Sequence, residues 1–137
     1  MFFYEKWDVF RAALELRRIA TDVSRFRQPG TAADLDQFRR AASSVILNIA
    51  EGAKERHKGR KLVRYDTARA SAGECNAAVL ILLTTLPNDA RVDLDEGQSL
   101  ANRVSAMMTN LIRSVETWDD VPPRGSDRPT PSDPTSD

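Results

Sequence analysis

Gln37-Phe38-Arg39-Arg40-Ala41-Ala42-Ser43-Ser44-Val45-Ile46-Leu47-Asn48-Ile49-Ala50-Glu51-Gly52 is the stretch that decides the fold. Leu35, Phe38, Ala42, Val45, Ile49 and Gly52 recur three and four residues apart, which lines them along one face of a helix. Ile46, Leu47 and Ala50 carry apolar surface around much of the remaining circumference, so this helix needs more neighbours than an ordinary surface helix. Ala41, Ala42, Ser43, Ser44 and Gly52 are small enough to let another helix approach, while Asn48 and Glu51 require partners wherever they are covered. The pattern predicts the central helix of a bundle.

The flanking sequence repeats the period. Val9, Ala12, Leu16, Ile19, Val23 and Phe26 form a stripe in a first helix over about 4–26, which Pro29-Gly30 ends. Thr31 is the expected N-cap of a second helix over about 32–56, with Asp34 as the acid of its first turn. Lys58-Gly59 reads as the hinge into a third helix over about 60–86, striped by Tyr65, Ala68, Ala72, Cys75, Val79, Leu82 and Leu86. Asp93 with Glu96 starts a fourth over about 94–118, where Ala101, Val104, Met108, Leu111, Val115 and Trp118 align. Equal lengths and short connections predict an all-α, antiparallel up-down-up-down four-helix bundle over 1–119. Residues 120–137 hold five prolines and a single aliphatic, Val121, and read as a disordered tail.

The 137 residues suit one domain with a modest core. The start Met1-Phe2-Phe3-Tyr4-Glu5-Lys6 carries no signal-peptide pattern and no apolar run approaches a membrane span, so a cytoplasmic protein is expected. A single cysteine, Cys75, and a single histidine, His57, leave no multi-cysteine or His-rich metal site, and no cofactor is expected. Basic and acidic residues balance at 20 each, but residues 1–60 carry net +4 and residues 119–137 net −3.

Arg39-Arg40-Ala41-Ala42-Ser43-Ser44-Val45 followed by Asn48-Ile49-Ala50-Glu51-Gly52 resembles the RRAxSIPxNIAEG signature of the four helix bundle, or 23S rRNA intervening-sequence (S23-type), proteins. Ala68-Arg69-Ala70-Ser71-Ala72-Gly73-Glu74 resembles the family's second motif, ARGSxxE, and Val9-Phe10 sits where the family has Val-Trp. The family proline is Ile46 here, the serine after it is Leu47, and the Gly of ARGS is Ala70. The resemblance implies the bundle fold and a homo-oligomer, usually a pentameric ring. It also relates the chain to accessory variability determinants that work beside a reverse transcriptase. Partners so implied are copies of the chain itself, RNA or DNA, or such a polymerase.

No constellation of enzymatic type emerges. Glu51 and Glu74 could pair as acid and base, but neither has the histidine three residues on that a di-iron bundle needs. Asn48, Glu51, Arg69 and Glu74 read instead as a buried polar network that fixes helix register. Cys75 lies on an apolar stripe and reads as an inert thiol; His57 reads as a solvated turn residue. Between residues 54 and 69 lie seven cations against Glu55 and Asp66, a local net of +5. Lys54, Arg56, Lys58, Arg60, Lys61 and Arg64 are therefore the candidate phosphate contacts, acting through counterion release with little sequence reading. Ile46 and Leu47 are the candidate oligomer contacts, and a protein–protein scaffold using the apolar face of the second and third helices is the alternative function.

Overall fold

A computed structural model describes residues 1–118 and 133–135. Its four α-helices are α1 (Asp8–Asp22), α2 (Ala32–Lys54), α3 (Lys58–Thr85) and α4 (Arg91–Glu116). Each packs on its neighbours in sequence, and α1 closes the bundle against α4. This is the up-down-up-down arrangement that short connections favour, and no strand occurs among the described residues. The expected tail over 120–137 falls outside the described residues apart from 133–135.

The predicted stripes are the core. Leu16, Ile19, Leu35, Phe38, Ile49, Leu82, Leu94, Met107 and Met108 are fully buried, and they come from all four helices. Gly97 supplies a close approach: a Cβ there would stand 3.3 Å from Ile19 Cγ2 and 3.5 Å from Phe38 Cζ.

Helix ends differ from the periodicity for local reasons. The first predicted helix divides into a 3-10 turn (Phe3–Lys6), α1 and a second 3-10 turn (Val23–Phe26), because Trp7 is extended at ψ 139°. Phe3, Tyr4, Trp7 and Phe10 pack edge to face beside that break. Thr31 is the N-cap residue of α2 as expected, but its side chain makes no capping bond; its hydroxyl accepts from Gln28 N (3.0 Å) and donates to Gln28 O (2.8 Å) instead. That closes the turn around Gly30, whose φ of +89° lies where glycine is favoured. The α2–α3 turn is not at Lys58-Gly59 but at Glu55-Arg56-His57. His57 Nδ1 accepts from Arg60 N and caps α3, so Lys58 and Gly59 are already helical. Leu86 is extended, as a residue before proline prefers, and ends α3.

Candidate nucleic-acid interface

The α2–α3 turn brings the six candidate cations to one end of the bundle and divides them by role. Lys61 is 4% exposed; its Nζ donates to Gly52 O and Ala53 O, the last carbonyls of α2. Its ammonium also lies 5.4 Å from the Tyr65 ring centroid and 5.3 Å from that of Trp118. Burial pulls its pKa down to about 8, against a smaller opposing pull from Glu55. Lys61 is thus a buried helix cap and not a phosphate contact. Lys58 does the same for α4, with Nζ donating to Glu116 O (3.1 Å) and Trp118 O (2.8 Å).

Lys54, Arg56, Arg60 and Arg64 remain exposed at this end. Glu55 accepts from His57 N (3.0 Å) and Arg60 Nε (3.2 Å), and these bonds, the backbone one first, hold its carboxyl below the usual range. Arg60 nevertheless keeps 69% of its side chain exposed. Lys54 stands 3.9 Å from Glu51 and 5.7 Å from the Phe2 ring centroid. Arg64 makes no hydrogen bond or ion pair to a described residue and lies beside Gly52, where a Cβ would meet its Cβ at 3.2 Å.

The expected polar network does not form. Glu51 and Glu74 are both exposed, because they sit off the buried stripes of their helices. Asn48 Nδ2 donates to Ser44 O (2.8 Å), and Arg69 binds Asp66 (3.0 Å) and Thr109 (3.4 Å); none of the four reaches another. Besides Lys61, a polar tie between α2 and α3 is Ser44 Oγ to Ser71 Oγ at 2.8 Å. Cys75 is fully buried, and burial raises its thiol pKa to about 12, which removes thiolate character near neutrality. Among the described residues no cluster of three or more His, Cys, Asp or Glu side chains converges.

A second cationic feature joins α1 and α2. Arg17 of α1 meets Arg39, Arg40, Ser43, Leu47 and Asn48 of α2 in an open groove of about 550 Å³. Arg17 Nε donates to Ser43 Oγ at 2.9 Å and Arg39 pairs with Asp36, while Arg40 is exposed. Sequence inspection found Arg39 and Arg40 but not Arg17, whose position between the buried Leu16 and the exposed Arg18 marks the α1 flank.

The apolar surplus divides similarly. Ile46 is half-buried against the core and is not a free surface residue, whereas Leu47 is 63% exposed. Val63 (63%), Leu80 (46%) and Ile81 (47%) add exposed apolar surface on α3, in keeping with the apolar face expected there.

Two sequence motifs thus meet in space: residues 39–52 line the groove and seat Tyr65, and residues 68–74 touch them through Ser71. Residues 5–110 match the sequence model of the 23S rRNA-intervening sequence protein. The chain belongs to this family. No curated protein matches it. For this 23S rRNA-intervening sequence family member, Gly52 of the first motif has a steric reason: a Cβ there would lie 2.5 Å from Tyr65 Cε1. Among the described residues no helix is long and apolar enough to cross a membrane.

Proposed function

We propose that this family member is a non-enzymatic, homo-oligomeric bundle that binds nucleic acid, or a nucleic-acid enzyme such as a reverse transcriptase, through its α2–α3 end. The supporting observation is the grouping of exposed Lys54, Arg56, Arg60 and Arg64 around one turn, with Lys61 and Lys58 tying that turn to the ends of α2 and α4. Such a cluster suits phosphate backbones, whose binding to Lys and Arg is driven by counterion release and needs no base contact. Oligomerisation would repeat the cluster around a ring and raise its effective concentration. The exposed Leu47, Val63, Leu80 and Ile81 are the surface offered for that assembly.

The same apolar surface favours a second reading, a protein–protein scaffold without nucleic-acid binding. Salt separates the two. A labelled mixed-sequence RNA and the matching DNA are titrated with the protein from low to physiological ionic strength. The nucleic-acid reading expects binding that weakens steeply with salt and is abolished by Arg60→Glu with Arg64→Glu, while the circular dichroism spectrum stays native. Absence of binding even at low ionic strength overturns it.

A further inference from the structure

We propose that the N-terminus of α1 is a peptide-capping site whose resident ligand is the chain's own Asp133-Pro134-Thr135. α1 has no side-chain cap of its own: Trp7 occupies the capping position and offers no acceptor. The acceptors come from 125 and 126 residues away. Asp8 N donates to Asp133 Oδ2 at 2.6 Å, and Val9 N donates to Thr135 Oγ1 at 3.3 Å. Asp and Thr are the side chains that helix N-termini select from adjacent sequence, and a carboxylate there also meets the positive end of the helix dipole.

The seated tripeptide is braced by its own hydrogen bonds. Asp133 Oδ1 accepts from Thr135 N at 2.7 Å and from the Thr135 hydroxyl, so one carboxylate shapes the tripeptide while its other oxygen binds the helix. Pro134 restricts the backbone between them. Thr135 is 0% exposed, a degree of burial that a polar residue reaches only when seated against the body of the fold. Trp7 Nε1 is buried in the same N-terminal turn with no hydrogen-bond partner among the described residues, a second donor at the site.

The site lies at the basic end. Lys54 reaches the Phe2 ring, and Lys58 holds the carbonyls of Glu116 and Trp118, so both the start of α1 and the end of α4 border the α2–α3 turn. Residues 119–137 carry net −3, and Asp133 of that segment is seated at the same end of the bundle as Lys54, Arg56, Arg60 and Arg64. Release of the tripeptide should therefore strengthen polyanion binding at this end, a consequence that rests on the function proposed above; the capping site itself does not.

The test uses the full chain and an Asp133→Ala, Thr135→Val variant. Amide exchange followed by nitrogen-15 NMR is expected to show Asp8 and Val9 exchanging about fivefold faster in the variant, with Leu16 and Val104 unchanged. Equal exchange at Asp8 and Val9 in both proteins overturns the capping site. A synthetic peptide of residues 129–137, added to the variant, should restore the wild-type shifts, and the same peptide with Asp133→Ala should not. Protection that appears in labelled variant on mixing with unlabelled wild type, and falls on dilution of wild type alone, would overturn the assignment to the same chain and give the site to a second copy. An RNA titration then reads the consequence: at least threefold tighter binding by the variant is expected, and equal binding overturns the coupling. If neither protein binds RNA, the functional reading fails while the exchange result still decides the cap.

Discussion

Gly52→Ala sets two physical effects of opposite sign against each other. In a helix interior alanine is favoured over glycine by about 1 kcal/mol, so propensity alone predicts a more stable protein. The fold predicts the reverse. A Cβ at residue 52 would lie 2.5 Å from Tyr65 Cε1, 2.6 Å from Tyr65 Cδ1 and 3.2 Å from Arg64 Cβ. Tyr65 is 1% exposed, so its ring has no solvent to swing into, and Lys61 sits over its face. Overpacking costs about 1–3 kcal/mol, and contact with two atoms of a buried ring falls in the upper part of that range, about 2–3 kcal/mol, which outweighs the propensity gain and leaves a net loss of about 1–2 kcal/mol. For a chain of this length that lowers the melting temperature by about 3–8 °C.

Gly73 of α3 is the control, since a Cβ there meets nothing within 4 Å in the subunit. Gly73→Ala should gain about 0.5–1 kcal/mol. Both variants are unfolded in urea and followed by circular dichroism at a concentration where subunits are apart. A Gly52→Ala protein as stable as wild type, or more so, refutes the steric argument. Adding Tyr65→Leu to Gly52→Ala should recover part of the loss, and simple additivity of the two changes would also count against it.

Lys61 carries a pH signature. Its pKa is near 8 in the fold against an ordinary value of 10.5, so below pH 8 both states are protonated and the penalty of burying the charge is fully present. Between pH 8 and 10.5 the unfolded chain binds more protons, so wild type should gain on the order of 3 kcal/mol relative to Lys61→Met; a flat difference in urea midpoints refutes this. Leu47→Asp and Ile81→Asp should shift sedimentation toward the monomer with native circular dichroism, whereas Ile46→Asp should destabilise the subunit itself, because Ile46 is half-buried. Ser71→Ala should cost about 1 kcal/mol by removing the bond to Ser44, and Ser44→Ala with Ser71→Ala less than the sum of the single changes; additive losses in urea midpoints would show that the tie is not made.

Helix faces were legible, and the groups that cap the helices were not. The stripes through Leu16, Phe38, Ile49, Tyr65 and Met108 follow from the 3.6-residue period, and every one of these residues is buried. Caps depend on which polar group lies near a free carbonyl or amide, and that is a tertiary matter. Lys61 was nonetheless readable: it stands four residues before Tyr65 on the stripe that continues through Ala68, Ala72 and Cys75, so the helix turns it inward. The same period places Glu51 and Glu74 outside, since Gly52 and Cys75 next to them face in. Counting residue types near one another suggested a network; assigning each to its face removes it. The contact between α1 and Asp133 had no such signal, because it joins residues 125 apart with no shared period.

The division of the cations has a measurable consequence for binding. A charge count around the turn treats Lys54, Arg56, Lys58, Arg60, Lys61 and Arg64 alike, yet the ammonium groups of Lys58 and Lys61 are turned onto main-chain carbonyls at the ends of α4 and α2. There they offset the negative ends of two helix dipoles instead of projecting charge outward. Counterion release counts only the cations that reach phosphate: four contacts per subunit give a slope of log affinity against log salt near −2.8 for a single strand, and six give about −4.2. A slope near −2.8 is the expected result, and Arg64→Glu should reduce it by about 0.7 or more. Lys61→Met should leave it unchanged while lowering stability at neutral pH, because the uncapped Gly52 and Ala53 carbonyls lose their donor. A slope near −4.2 that falls in Lys61→Met would mean that the lysine leaves its carbonyls to meet phosphate, and the separation of capping from binding cations would be wrong.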